Sequence, residues 1–278
     1  MKLVRLVVIY LAIYAVLLLS GAVAGDSGGR SHYQPRVNAS GICVGFGPQA
    51  PRDITRKTGI NRRIFSIAPS YKQMNLCNIR IHSNAEHKGP GFSIFAGEGE
   101  HGGFKCNMSQ GLSSRQLTVP EGRNAFKGGK PGDTIEVHWV FTSCDVEPGE
   151  GLGACMSQSC TNPQLRVEAQ VFLLVNDRRA LDFSDFDYDD SGRRSFHQPK
   201  RLPARTGKPV QYAGSTTGPK HDRARCSPLQ VTWSVRPGCA MLDVNTLNEW
   251  AEYNAFGEKE AHGVRALVTE LDLLSPIE

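Results

Sequence analysis

The sequence predicts a mostly β (α+β) fold that forms a single domain. Many short segments rich in β-branched and aromatic residues are separated by turns, for which the chain has 29 glycines and 16 prolines. One stretch alone, residues 243–256, has clear helical spacing, so we expect a helix near the C-terminus. A chain of 278 residues can build one sizeable core, and no internal repeat or linker indicates a second domain.

Residues 1–24 have the pattern of a signal peptide. Lys2 and Arg5 precede an apolar run over residues 6–19, and small residues at 20–24 form an A-x-A-like cleavage site. The run is shorter than the roughly 20 apolar residues that a membrane-spanning helix needs. We therefore expect cleavage after residue 24, with an uncleaved N-terminal anchor as the alternative.

The mature chain divides into a flexible start, residues 25–40, and one folded domain, residues 41–278. The start is polar and rich in glycine and serine, as mobile chain ends often are. No later segment is apolar over a sufficient length to span a membrane. Export would therefore leave the protein in a periplasm or outside the cell, with no stable membrane span after cleavage.

The charged residues and the cysteines narrow the class of protein further. The formal net charge is +5, but the basic residues are scattered and are not interleaved with aromatic residues, which argues against nucleic-acid binding. The eight cysteines include no C-x-x-C pair, so in an exported protein they favour structural disulfides over redox or cysteine–zinc sites. Eight cysteines allow about 105 pairings, so the connectivity stays open, as does the oligomeric state.

Two of the predicted strands carry polar side chains along one face. The predicted strands span residues 63–67, 74–82, 134–141, 164–175 and 229–235. Because side chains alternate between the faces of a strand, Arg80 and His82 share one face of the second of these strands. Glu136 and His138 share one face of the third in the same way. If the two polar faces lie together in one sheet, two histidines and a carboxylate converge, which is the beginning of a zinc site with a supporting carboxylate.

The segments around these residues resemble the delta-class carbonic anhydrases. The similar motifs are GFGPQ (45–49), NLCNIRIH (75–82), NAEHKG (84–89), GDTIEVHW (132–139), PQLRVE (163–168) and HGVRALVT (262–269). The resemblance extends over nearly all of the mature chain. Taken together the motifs are specific, although each of them alone is weak.

A more distant similarity links the chain to the alpha-class carbonic anhydrases. The segment YAGSTTGP (212–219), followed by Cys226 and VTW (231–233), is similar to the active-site loop and the next strand of that class. The resemblance implies an alpha-carbonic-anhydrase-like domain around a central, mainly antiparallel sheet. It also implies that His82 and His138 bind zinc and that Cys226 pairs with Cys43.

The same similarity assigns supporting roles to three further residues. Glu136 corresponds to the second-shell carboxylate beside the third zinc ligand. Thr216 corresponds to the hydroxyl that receives a hydrogen bond from zinc-bound hydroxide, and Glu86 corresponds to the carboxylate that orients that threonine. His101, in a glycine-rich loop, is a candidate for moving the proton to solvent; an exposed histidine without a role is the alternative.

The resemblance implies a zinc-dependent enzyme that interconverts carbon dioxide and bicarbonate by metal-hydroxide attack. A catalytic zinc ion needs three protein ligands and an open position, and its bound water then has a pKa of about 7. The implied cofactor is Zn²⁺, and the implied partner is the small-molecule substrate, carbon dioxide or bicarbonate.

Arg80 is the position at which the chain departs from the family pattern, which has His-x-His on this strand. Arginine remains protonated and has no lone pair for a metal. Three arrangements are open. His87 completes the site with His82 and His138, and Arg80 turns aside to pair with Glu86 or Glu136. Alternatively, the two histidines bind a metal weakly, or the site binds none.

If the site binds no metal, the protein is an inactive carbonic-anhydrase-like secreted binding protein, because function belongs to the site and not to the fold. A purely structural secreted domain is a third hypothesis. That hypothesis leaves the convergence of Glu86, Glu136 and His138 without a reason.

Overall fold

The fold is described from a computed structural model. It describes residues 36–37, 43–44, 46–63, 65–122, 125–215 and 225–278. These residues all belong to one compact unit, Pro35–Glu278. The predicted signal peptide and most of the predicted flexible start lie outside the described residues, and both stay predictions. None of the described helices has the length and hydropathy of a membrane span.

The described strands form one five-stranded sheet and two small two-stranded sheets. In chain order the strands are β1 (Arg36–Val37), β2 (Cys43–Val44), β3 (Asn75–Ser83), β4 (Phe92–Gly97), β5 (Gly103–Cys106), β6 (Thr134–Thr142), β7 (Leu165–Val175), β8 (Val210–Ser215) and β9 (Gln230–Asp243). The strand order in the large sheet is β3-β6-β7-β9-β8. Its neighbours are antiparallel except for β7 and β9, which run parallel. The predicted mostly β domain with a central, mainly antiparallel sheet is confirmed.

Two of the predicted strands differ from the observed structure by several residues. Residues 65–67 do not form a strand, so that the prediction for 63–67 is wrong over the part that the structure describes. β9 continues to Asp243, well beyond the predicted end at residue 235. A bulge accommodates Pro237 and Gly238, and pairing with β7 resumes at Cys239.

Both faces of the central sheet are buried, which explains why every residue of β6 and of β7 is buried. One face carries Ile79, Val137 and Trp139 and packs against the C-terminal helix. The other face carries Val167 and Trp233 among its apolar residues. The polar residues of β3 and β6 project to this second face, because they alternate with the apolar residues of the first.

The helices are few and short. Besides α1 (Ser114–Leu117) and α2 (Val244–Tyr253), the described residues contain single 3₁₀ turns at Tyr71–Gln73, Asn107–Gly111, Leu152–Cys155, Phe183–Phe186 and Leu271–Leu273. Asp243 caps α2 by accepting a hydrogen bond from the backbone N–H of Asn245. Gly257 follows the helix at φ +64°, a conformation that glycine adopts without strain. The predicted C-terminal helix is confirmed, and it ends three residues earlier than expected.

Disulfides hold distant parts of the domain together. Three of them join Cys77 to Cys155, Cys106 to Cys239 and Cys144 to Cys160. The first two close separations of 78 and 133 residues, and long closed loops are those in which a cross-link most restricts the unfolded chain. The side chain of Cys43 lies outside the described residues, so its pairing with Cys226 stays a prediction.

Candidate metal site

The polar faces of β3 and β6 meet in the sheet. The antiparallel register places Arg80 opposite His138 and His82 opposite Glu136. The ring centroids of His82 and His138 lie 4.7 Å apart, and the two residues are 8% and 4% exposed. The predicted convergence of two histidines and a carboxylate is therefore present in the fold.

His82 is held as a neutral imidazole with one open nitrogen. Burial, together with the neighbouring His138, lowers its pKa to about 4. Nδ1 of His82 lies 2.9 Å from the carbonyl oxygen of Gly263, so that Nδ1 carries the proton and donates it. Nε2 then retains its lone pair, which is the form of histidine that binds a metal.

Glu136 is the most heavily hydrogen-bonded carboxylate of the site. Its Oε2 accepts the backbone N–H groups of Glu86 (2.6 Å) and His87 (3.1 Å), and its Oε1 accepts Nδ1–H of His87 at 2.7 Å. Burial alone would raise the pKa of Glu136, but His87 and His138 outweigh it and hold the pKa well below its usual range. Glu136 is therefore an ionised carboxylate at the base of the site.

His138 has a buried ring nitrogen that lacks a hydrogen-bond partner among the described residues. This atom, Nε2, lies 3.1 Å from Oε1 of Glu136, but the two do not have hydrogen-bond geometry. A buried polar atom without a partner is costly unless it binds something. The ring also contacts that of Trp233, with centroids 5.1 Å apart, so one side of the imidazole is fixed by packing.

Both ring nitrogens of His87 are already engaged. Nδ1 donates to Glu136, and Nε2 lies 2.7 Å from the hydroxyl of Tyr212. Burial raises the pKa of Tyr212 well above its usual value, so the phenol keeps its proton and donates it to Nε2. In this arrangement His87 has no nitrogen left for a metal, and its role is to hold Glu136.

Glu86 forms a buried ion pair with Arg265. Nε of Arg265 donates to Oε1 at 2.7 Å, and a terminal guanidinium nitrogen donates to Oε2 at 3.1 Å. Burial opposes ionisation, but the charge of Arg265 holds the pKa of Glu86 far below its usual range. The predicted partner of Glu86, Thr216, lies outside the described residues, so its role as the hydroxyl at the metal stays a prediction.

Arg80 is half-buried beside this site. Among the described residues it makes no hydrogen bond or ion pair, and the predicted pairings with Glu86 and Glu136 are absent, since Arg265 holds the first carboxylate and His87 the second. Its guanidinium has no lone pair to give to a metal.

His101 lies at a different cavity. That cavity has a volume of about 620 Å³, and Lys105, Lys127 and Lys130 also line it. In the described part of the chain, neither His82 nor His138 is among its lining residues. The role of His101 as the proton carrier stays a prediction.

The sequence alone did not identify three residues that support the site. Arg265 and Gly263 lie about 180 residues from the strand that they support, in the closing motif HGVRALVT, which contributed to the resemblance but received no role. Trp233 is buried and packs against the rings of both His87 and His138. The closing motif itself could have indicated this support, because its polar residues need hydrogen-bond partners if they are buried.

Two overlapping groups of side chains have the composition of a metal site. His82, Glu86 and His138 form the first group, and His87, Glu136 and His138 form the second. In each group the possible ligand atoms lie within 4.8 Å of one another. Open imidazole nitrogens, ionised carboxylates and the unpartnered Nε2 of His138 fit a zinc ion, whose usual ligands are nitrogen and oxygen atoms of this kind.

Comparison with known proteins gives the family context. The family model of delta carbonic anhydrases matches residues 71–246, which is more than half of the chain. Among solved structures, a hyperthermostable carbonic anhydrase identified from an active hydrothermal vent chimney is similar at 14% identity, covering 83% of this chain and 86% of that one, with a TM-score of 0.34. No curated protein matches the chain.

Proposed function

Since the chain belongs to the delta carbonic anhydrase family, we propose that it interconverts carbon dioxide and bicarbonate at a zinc ion bound by His82 and His138. The observation that carries this proposal is the buried pair of imidazoles, with ring centroids 4.7 Å apart, in which Nε2 of His138 has no hydrogen-bond partner among the described residues. Zinc, when bound, supplies a Lewis acid that makes water a nucleophile at neutral pH.

The surrounding residues orient the two imidazoles. The carbonyl oxygen of Gly263 fixes the tautomer of His82 and turns its Nε2 toward the site. Oε1 of Glu136 lies 3.1 Å from Nε2 of His138, so that its negative charge stands beside the nitrogen that would bind the ion. Glu136 in turn is fixed by two backbone amides and by His87, so its position is determined before any ligand arrives.

Aromatic side chains close one side of the site. Trp233 contacts the rings of His87 and His138, and Tyr212 stacks on Trp233 with an interplanar angle of 10°. These rings exclude water from the back of the imidazoles, which strengthens electrostatic interactions within the site. Thr216 as the hydroxyl beside the metal and His101 as the proton carrier are part of the proposal.

A second candidate function is a secreted binding protein on the same scaffold, without catalysis. Arg80 favours it, because a guanidinium opposite His138 adds positive charge where a third neutral ligand is expected. Under this hypothesis the wild-type protein binds no zinc, and the site has lost its reaction.

The two candidates are separated by zinc content and by carbon dioxide hydration, measured in the same preparation. We expect the wild-type protein to retain about one zinc ion per chain after dialysis against a weak chelator and to hydrate carbon dioxide in a stopped-flow assay. His138→Gln should lose both properties. His197→Gln, which removes a histidine bonded to Tyr188 instead, is the matched control and should keep them.

Arg80→His provides the opposite test. If the wild-type chain binds no zinc and this substitution restores zinc and hydration together, the binding-protein hypothesis is correct and the enzyme proposal is refuted. If the wild-type chain is already loaded and active, the substitution should change activity little.

A further inference from the structure

The histidine pair needs a third protein ligand, and Arg80, which stands where the family pattern has a histidine, cannot supply it. A catalytic zinc ion is held by three side chains, and Arg80 has no lone pair. The third ligand must therefore come from another side chain whose atoms lie close to both His82 and His138. Among the described residues, Glu86 is the side chain whose ligand atoms group with those of both histidines, whereas His87 and Glu136 group with His138 but not with His82.

The hydrogen bonds of His87 and Glu136 argue against those two. His87 uses Nδ1 for Glu136 and Nε2 for Tyr212. Oε2 of Glu136 accepts two backbone N–H groups, which occupy both of its lone pairs. Oε1 accepts one hydrogen bond, from His87, but the group of ligand atoms that contains Glu136 does not include His82. Recruiting His87 would break one of its buried hydrogen bonds and leave the former partner unpaired in the interior.

Glu86 has an oxygen that is still open. Its Oε1 accepts two hydrogen bonds from Arg265, one from Nε and one from the backbone N–H. From the residues that the structure describes, Oε2 accepts one, from the guanidinium at 3.1 Å. One lone pair of Oε2 is thus free. The ligand atoms of His82, Glu86 and His138 all lie within 4.8 Å of one another, and Glu86 is only 2% exposed.

We infer that Glu86 is the third metal ligand, so that this chain binds zinc through two histidines and one glutamate. The inference rests on the proposed function, because it concerns the same ion. Two histidines and one glutamate form a ligand set that catalytic zinc sites use elsewhere. Arg265 then acts as a positioning residue that holds the ligating carboxylate, as hydrogen-bond donors around metal sites generally do.

Charge balance supports the same assignment. Replacing a histidine ligand by Arg80 adds one positive charge beside the ion, which would repel a dication. A carboxylate ligand adds one negative charge that three neutral imidazoles do not provide.

X-ray absorption on the zinc-loaded wild-type protein tests the assignment without any substitution. We expect two imidazole ligands per zinc ion, with oxygen donors completing the shell. In Glu86→His the count should rise to three. A count of three in the wild-type protein would show that His87 is recruited, and it would overturn the role of Glu86.

Zinc affinity, measured by competition with a coloured chelator, provides the second readout. Glu86→Gln should weaken affinity more than about 100-fold, beyond the 10–100-fold typical of a residue that only orients a ligand. Glu258→Gln is the matched control, since Glu258 is also buried and bonds the backbone N–H of Ile81 and the ring of His262. Glu258→Gln should change zinc affinity less than about 10-fold, which is a smaller loss than is typical when a residue that orients a ligand is removed.

The outcomes separate the two proposals. If Glu86→Gln folds and binds zinc as tightly as the wild-type protein, the ligand assignment is refuted while the proposed function stands. If the wild-type protein binds no zinc at micromolar concentration, both are refuted. Should Glu86→Gln fail to fold, the imidazole count in the wild-type protein decides.

Discussion

Neutral, buried His82 should make the metal-free protein lose stability as the pH falls from 6.5 to 4. Its pKa is about 4 in the folded protein, against about 6.5 in an unfolded chain. Between these values the unfolded chain binds a proton that the folded protein does not, so the free energy of unfolding falls with decreasing pH. The slope for one proton is about 1.4 kcal/mol per pH unit, and over the whole interval the loss is roughly 3 kcal/mol.

Urea denaturation of the metal-free protein, followed by tryptophan fluorescence at pH 8, 6.5, 5.5 and 4.5, measures this dependence. His82→Gln removes the titrating group, so its stability should depend less steeply on pH, by about 1.4 kcal/mol per unit between 6.5 and 4.5. At pH 8 the His82 ring is neutral, so the difference in the free energy of unfolding between the two proteins at this pH reports the lost packing alone. Equal slopes for both proteins would refute the assignment of His82 as a neutral imidazole.

Three further predictions concern the carboxylate beside His138, one disulfide and the cleavage of the signal peptide. Glu136→Gln should weaken zinc affinity about 10–100-fold while the fold is kept, because it removes the charge beside His138. Chelator competition measures the affinity and circular dichroism checks the fold; an unchanged affinity would contradict the role of Glu136. The double variant Cys77→Ala/Cys155→Ala should lower the free energy of unfolding by about 4 kcal/mol, since the bridge closes a separation of 78 residues, and urea denaturation of the oxidised proteins tests this. Mass spectrometry of the exported protein should place the mature N-terminus at Gly25, and an intact N-terminus would favour the uncleaved anchor.

Local patterns in the sequence were sufficient to predict the elements that carry the site. Alternation of side chains predicted the polar faces of β3 and β6, and the structure confirms that they meet, with His82 opposite Glu136. This works because the period of two along a strand is set by backbone geometry and does not depend on the rest of the fold. Helical spacing and a capping aspartate located α2 for the same reason.

Local patterns failed where neighbours outside the segment decide the conformation. Pro237 and Gly238 indicate a break, yet β9 continues through them, because pairing with the buried strand β7 makes a bulge more favourable than an end. Residues 65–67 have the composition of a strand but have no strand beside them with which to pair. Strand preference describes how well a side chain fits a pleated surface, and tertiary neighbours provide that surface.

The sequence by itself thus determined the fold class, the family resemblance and the pairing of His82 and His138 with Glu136 nearby. Only the tertiary structure decided which atoms of the site are already engaged: His87 by Glu136 and Tyr212, and Glu86 by Arg265. The physical reason is that the donor and acceptor positions of a buried side chain are occupied by whatever the fold brings against it. Arg265 lies 179 residues away from Glu86 along the chain, so no local pattern contains that contact.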